Sequence, residues 1–344
     1  LFLKKFLNTT MCRIIYINIC PHFPSISILK WSSCMKLHEY KEDFKELISI
    51  VARVKQLPET AIERDYYIVL LLKNLANSEY ADKCVFKGGT SLSKCYPGSI
   101  ERFSEDIDLT YLGMGLNDKA CDKTIKQIEK IITVGAETEK INTERSNRSK
   151  SMYVWFGDRS NQIKLEIGSN VKPDPYTKRY IKSYIHEYLE SQGLTEDIEK
   201  FELVSIELNV LNIERTFIDK LMSVKRHALY GDISVKVRHV YDVTRLFDLP
   251  EIKNFLKNST ELKRIVRLTK ETDDFYFQKR GIKITYNHDE PYDFESWKNR
   301  FSEQVKSAYE KLHIELLYTN QKQNFDKALN AFRQINKILA DIGE

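Results

Sequence analysis

Apolar positions change their period several times along the chain, and each change marks a predicted element. From residue 35 to about 81 they recur at helical spacing, and Pro58 divides that stretch into two helices. The second helix carries Tyr66, Val69, Leu70 and Leu72 toward a core. Residues 84–87 are short and apolar and stop at Gly88-Gly89, which predicts a strand and then a tight turn. A short helix follows over 90–96, ended by Pro97-Gly98. Ile107, Leu109 and Tyr111 then alternate with Asp106, Asp108 and Thr110, the period of a half-buried strand.

Further along, the pattern predicts a helix over 118–134 and two strands over 152–156 and 162–167, joined by the turn at 157–161. Residues 171–200 are mixed, 201–211 read as a strand, and from Glu214 the chain is helical almost to its end. The expected fold class is therefore α+β. N-terminal helices (35–81) lead into a small mixed sheet (82–211), followed by a helical C-terminal domain (212–344), with a cleft between the last two. No internal repeat or low-complexity linker interrupts this order.

Composition changes the picture little. The chain has 344 residues, 42% hydrophobic and 30% charged, as in a soluble globular protein with room for two domains. The net charge of +5 suggests a polyanion partner until its distribution is considered. Lys4, Lys5, Arg13 and Lys30 precede residue 35 with no acidic residue among them, so the remainder is close to neutral. Any polyanion site must be a local patch. Residues 1–34 also hold Cys12, Cys20 and Cys34, half of the six cysteines. They read as an over-extended reading frame, with the working protein starting at Met35. A targeting signal fits less well, because Pro21 and Pro24 interrupt the apolar stretch and no small-residue cleavage site closes it. Cys84, Cys95 and Cys121 have neither CxxC nor zinc spacing, so reduced thiols in a cytoplasmic protein are expected. No run of 18 apolar residues is present, and no membrane partner is expected.

The candidate chemistry lies on the 106–111 strand. Asp106 and Asp108 project from one face, with Cα atoms roughly 6.5–7 Å apart. Carboxylates so spaced can flank a pair of Mg²⁺ ions about 3.5–4 Å from one another. Alone, Asp-x-Asp is equally a solvated strand face. Twenty residues upstream, however, Lys87-Gly88-Gly89-Thr90-Ser91 forms a strand-to-helix turn where a backbone can approach a phosphate and Ser91 can donate to it. It is not a Walker motif, since Lys94 lacks the GxxxxGK[ST] frame.

Phe86-Lys-Gly-Gly-Thr-Ser-Leu-Ser-Lys94 together with Arg102-Phe-Ser-Glu-Asp-Ile-Asp-Leu109 resembles the AbiEii/AbiGii toxin family, which includes the mycobacterial MenT toxins and belongs to the DNA polymerase β-like nucleotidyltransferases. Glu63-Arg-Asp-Tyr-Tyr-Ile68, Glu214-Arg-Thr-Phe-Ile-Asp-Lys220 and Arg238-His-Val-Tyr-Asp242 extend the resemblance over about 58–250. It implies a polymerase β-like sheet with a third carboxylate on a neighbouring strand. Glu166 is the candidate, set opposite the Ile163, Leu165 and Ile167 face; an exposed Glu166 paired with Lys164 is the alternative.

On the helix after Glu214, Ile213, Phe217, Leu221, Val224 and Ala228 form an apolar stripe. Lys220 and His227 lie beside it. By periodicity Lys220 is a snorkelling surface lysine and Asp242 the i+4 partner of Arg238. The resemblance instead implies that Lys220 contacts a nucleoside triphosphate and that Asp242 orients the lysine or the nucleotide. Lys87, Gly88, Gly89, Thr90, Ser91 and Ser104 complete the implied nucleotide site. Ser104 stands two residues before Asp106, where phosphorylation would add negative charge beside the carboxylates. Implied cofactors are Mg²⁺ or Mn²⁺. Implied partners are a nucleoside triphosphate, an RNA acceptor of the tRNA 3′-end type and a cognate antitoxin. Two basic clusters, Lys178, Arg179 and Lys182, and Lys225, Arg226, Lys236 and Arg238, are candidate RNA contacts or solvated faces. Transfer to a small molecule or protein, or binding without catalysis, are the competing functions.

Overall fold

The computed structural model describes residues 36–279 and 292–342; the expectations for 1–34 lie outside them. Helices α1 (Lys41–Lys55) and α2 (Glu59–Ala76) flank Pro58. α1 buries Phe44, Leu47, Ile48, Val51 and Ala52, the single stripe of a surface helix, and ends where Gln56 takes a left-handed conformation (φ 56°). α2 buries nearly every residue from Asp65 to Leu72 and so lies beneath the sheet as an interior helix.

Seven strands form one mixed sheet: β1 (Cys84–Lys87), β2 (Asp106–Tyr111), β3 (Glu137–Lys140), β4 (Ser149–Trp155), β5 (Ile163–Gly168), β6 (Tyr176–Ile181) and β7 (Ile206–Leu211), in the order β3-β4-β5-β2-β1-β7-β6. β1 runs parallel to β7 and β2 parallel to β5; the other neighbours are antiparallel. Helix α3 (Gly88–Cys95) joins β1 to β2, and α4 (Asp118–Ile132) follows β2. Cys121, Ile125, Ile128 and Ile132 form the buried stripe of α4, which stops two residues short of the predicted end. Two short helices, α5 (Tyr184–Ser191) and α6 (Thr195–Lys200), occupy the mixed stretch, so β7 begins at Ile206 and not near 201.

After β7 the described chain is helical: α7 (Ile213–Tyr230), α8 (Val237–Phe247), α9 (Pro250–Lys257), α10 (Ser259–Lys279), α11 (Phe294–Trp297), α12 (Glu303–Glu310), α13 (Leu312–Glu315) and α14 (Phe325–Ile342). The α+β class is as expected, with a wider sheet. Two apolar cores result. One joins α1, α2, α4 and the sheet; the other joins the helices from α7 onward and also takes in Leu92 and Ile100 from the sheet region. The segment between β1 and β2 is thus rooted in the helical core, which fixes the approach to β2. The described cysteines, Cys84, Cys95 and Cys121, are buried free thiols. No described helix is long and apolar enough to cross a membrane.

Candidate active site

β2 lies near the middle of the sheet, between β1 and β5. Ile107 and Leu109 are buried on one face, which leaves Asp106 and Asp108 together on the other. Register then brings further charges to that face: Lys87 opposite Asp108, Glu166 beside Asp108, and Lys164 beside Asp106. Glu166 is therefore where a third carboxylate would stand, yet it is also paired as the alternative predicted. Lys164 Nζ lies 2.5 Å from Glu166 Oε1 and 2.8 Å from Glu144 Oε2.

The Gly-Gly turn is shaped around these side chains. Gly88 has φ +85°, and a Cβ there would overlap Asp108 Oδ2. At Gly89 a Cβ would stand 2.6 Å from Ser104 Oγ and 2.8 Å from Arg102 Nη2. Thr90 Oγ1 lies 3.0 Å from Ser104 Oγ and donates to the Asp106 carbonyl at 2.5 Å, tying the start of α3 to β2. The Ser91 hydroxyl is fully buried and donates to the Gly88 carbonyl within the turn. Lys94 turns away, donating to buried Asp65 on α2 at 2.7 Å. Asp65 also accepts from the Tyr184 amide, so this ion pair anchors α3 to α2 and α5.

Behind the carboxylates lies a second acidic centre. Asp242 on α8 is fully buried and accepts two hydrogen bonds from the Arg102 guanidinium, Nε to Oδ1 at 2.6 Å and Nη2 to Oδ2 at 2.7 Å. Lys220 Nζ reaches the same carboxylate at 2.8 Å. The periodicity-based readings of both residues fail here. Lys220 is only 6% exposed, and the buried Asp242 pairs with Arg102 and Lys220 and not with Arg238 one turn before it. Arg102 lies in the motif, but its partner is 140 residues away, beyond the reach of local spacing. His239, one turn before Asp242, is a second residue the sequence did not flag. Its Nδ1 is enclosed without a hydrogen bond among the described residues, and burial, then Lys220 and Lys236, push its pKa well below the usual value.

The electrostatics of the two centres are opposite. Burial raises the Asp106 carboxyl, and Glu166 raises it further. Asp108 is pushed up to about 6, chiefly by burial and then by Glu166 and Asp106, against the opposing pull of Lys87 and Lys220. Burial would also raise Asp242, but Arg102 and Lys220 outweigh it and hold that group well below the ordinary carboxylate range. β2 thus presents two carboxylates with too little positive charge, flanked by Lys87, Lys220, Lys236 and Arg238.

A divalent cation fits this donor set. The oxygens are hard, paired on one strand face and under-neutralised. Among the described residues no three His, Cys, Asp or Glu side chains form a closed metal site. Mg²⁺ does not need one, since it usually takes one or two carboxylates and completes its shell with waters and substrate phosphates.

The basic clusters are less available than their spacing suggested. Lys178 pairs with Asp82 and Glu207, Lys182 with Glu190, and Arg179 stacks on Tyr96. Arg226 pairs with the buried Asp273.

A strand-borne Asp-x-Asp stands beside a glycine turn and a buried lysine, and sequence comparison identifies the family. Residues 70–331 match the profile described as nucleotidyl transferase AbiEii toxin, type IV toxin–antitoxin system, and the chain belongs to that family. It is thus a nucleotidyltransferase toxin of such a system. No curated protein matches the chain by sequence. Among solved structures it is similar to MenT4, a nucleotidyltransferase toxin from Mycobacterium tuberculosis H37Rv, at 18% identity and a TM-score of 0.47, over 86% of this chain and 98% of that one. It is also similar to JHP933 from Helicobacter pylori, at 16% identity and a TM-score of 0.39, over 83% and 95%.

Proposed function

We propose that the protein transfers a nucleoside monophosphate from a nucleoside triphosphate to a terminal hydroxyl of RNA, of the tRNA 3′-end type, with Asp106 and Asp108 holding Mg²⁺ or Mn²⁺. The observation that carries this reading is the under-neutralised Asp106–Asp108 pair facing the Gly88–Gly89 turn. Such a pair is costly in the free protein and is relieved when a cation and a polyphosphate enter together. The bound cation supplies Lewis-acid neutralisation of phosphate oxygens.

The remaining work falls to the chain. Gly88 and Gly89 let the phosphates approach the backbone, while Thr90 holds the turn against β2 beside Ser104. Lys87 and Lys220 neutralise the departing pyrophosphate, and Asp242 with Arg102 fixes Lys220 in place. The acceptor oxygen forms a bond to the α-phosphorus as the bond to pyrophosphate breaks, and the hydroxyl proton passes to Asp108 or Glu166. Glu166 is available for this once Lys164 is held by Glu144.

Incubation with each α-labelled nucleoside triphosphate, Mg²⁺ and total RNA tests the proposal. Label should enter RNA of tRNA size with wild-type protein and not with Asp106→Asn. Label in protein or a small molecule, or label independent of Asp106, would exclude it. A cognate antitoxin, which membership of the family implies, should abolish growth arrest by the wild type in the same cells.

A further inference from the structure

The face of the sheet that bears the carboxylates continues outward from β2 onto β4. Register sets Asp106 beside Lys164 on β5 and Lys164 beside Tyr153 on β4, so these three side chains share one row and one face. Trp155 lies on that face too, while Met152 and Val154 alternate with the two rings into the core and Lys150 pairs with Asp122 on α4 beneath. The face is open here: the side chains of Glu139, Glu144, Arg159 and Glu166 on it are 41–55% exposed. Tyr153 and Trp155 are half-buried, yet they pack against neither apolar core. The Tyr153 hydroxyl and the Trp155 indole N–H have no hydrogen-bond partner among the described residues. Other rings of the chain are satisfied at both ends. Tyr80 donates to Gln127, Tyr96 to the Leu211 carbonyl, and Trp297 to the Tyr292 carbonyl.

Sheet order puts this surface across β2 from the glycine turn, which follows β1 on the other side. Neighbouring strands lie about 4.8 Å apart, so Tyr153 stands roughly 10 Å from Asp106. That is within reach of a base whose own sugar hydroxyl is at the carboxylates. The cations beside the rings are already neutralised, Lys164 by Glu144 and Glu166, and Arg159 by Glu139. Over the Trp155 ring lies the Arg159 guanidinium, 4.9 Å from the ring centre. The surface therefore offers flat π-faces in place of unpaired positive charge, which suits bases better than phosphates.

We propose that Tyr153 and Trp155 form a stacking surface for the last bases of a single-stranded acceptor RNA, holding its 3′-hydroxyl toward Asp106 and Asp108. Every base has a π-face, so such a surface takes single strands with little regard to sequence. It rejects a duplex, whose bases are stacked on one another and out of reach. Arg159 lengthens the stack, because a guanidinium plane also takes a base. The assignment rests on the transferase reading above. It makes Tyr153 and Trp155 determinants of acceptor binding, with no part in holding the triphosphate.

Fluorescence anisotropy of a 5′-labelled single-stranded RNA of mixed sequence, in EDTA and without nucleotide, tests this apart from catalysis. Tyr153→Ala and Trp155→Ala should each weaken binding about tenfold, and Tyr153→Phe, which keeps the ring, should bind as the wild type does. Because the lost contacts are to bases, the slope of log affinity against log salt should stay unchanged. An abasic strand of the same length should bind the wild type and both alanine variants alike. In the intact protein, RNA should quench the emission that Trp155 contributes, read as the difference between wild type and Trp155→Phe. Wild-type protein that binds no RNA, alanine variants that bind it equally well, or an absence of that quenching would overturn the assignment. So would an equal loss of affinity for the abasic strand. Wild-type protein that binds RNA through these rings but transfers no label would count against the transferase reading alone and leave the stacking surface assigned.

Discussion

Two acidic centres lie within one site and are built on opposite principles. Asp242 is enclosed by Arg102 and Lys220, with both carboxylate oxygens satisfied and its pKa held low. Asp106 and Asp108 share a strand face with Glu166, and their pKa values are raised. The first centre is complete in the protein as folded. The second carries carboxylates that a cation would neutralise. Burial alone therefore does not distinguish a structural acid from a reactive one; the balance of nearby charge does.

The sharpest way to break this contrast is to neutralise each centre in turn. Asp106→Asn or Asp108→Asn should reduce nucleotidyl transfer about 10³-fold. The same change should leave the thermal midpoint unchanged or raised, because it removes repulsion and a desolvated charge. A large fall in midpoint for either variant would show that these carboxylates also hold the fold. Asp242→Asn should do the reverse to stability. It strands two buried cations and should cost about 3–5 kcal/mol in urea unfolding. A loss below 1 kcal/mol would mean that Arg102 and Lys220 find other partners.

Gly88→Ala probes the contact between turn and strand. Its positive φ costs about 1–2 kcal/mol for a residue with a side chain, and the new methyl would displace Asp108. Transfer should fall by more than stability accounts for, as read by comparing activity well below the melting transition.

The last effect expected is the pH dependence of the metal-free protein, and it has opposite signs at the two centres. Asp108, at about 6 when folded, lies above its unfolded value near 3.9, so the unfolded chain binds fewer protons between the two. Stability contributed there is present below about pH 4 and is lost as pH rises through 6, on the order of 3 kcal/mol. Asp242 is depressed, so its contribution is present above the unfolded value and is lost as pH falls below it. Urea titrations in EDTA from pH 4 to 7.5 should show the Asp108 loss in the wild type and a smaller one in Asp108→Asn. Adding Mg²⁺ at pH 7.5 should raise the wild-type midpoint by mass action and leave that of Asp108→Asn nearly unmoved.

The contrast also explains what the sequence could reveal. Asp106, Asp108 and the Gly88–Gly89 turn are local features, a period-two strand and a strand-to-helix break within about twenty residues, and they are legible from spacing. The Asp242 centre is not. Its three members come from positions 102, 220 and 242, and the nearest basic residue in helical register with Asp242, Arg238, is not its partner. The same limit applies to the fold. Edge strands β3, Glu-Thr-Glu-Lys, and β6, Tyr-Thr-Lys-Arg-Tyr-Ile, carry little apolar alternation because one side of each has no neighbouring strand. Pairing forms them, and pairing is invisible in a local pattern.

The clasp between residues 101–103 and 316–318 has a further consequence, in time. Phe103 donates to the Leu316 carbonyl, Tyr318 donates to the Glu101 carbonyl, and the two rings of Phe103 and Tyr318 meet at 4.6 Å. The stretch that aims β2 is thus held by a segment made more than two hundred residues later on the ribosome. A chain interrupted after β7 would carry both aspartates and the glycine turn but neither Lys220, Asp242 nor this clasp. The approach to β2 therefore gains its full set of contacts only when the chain is nearly finished.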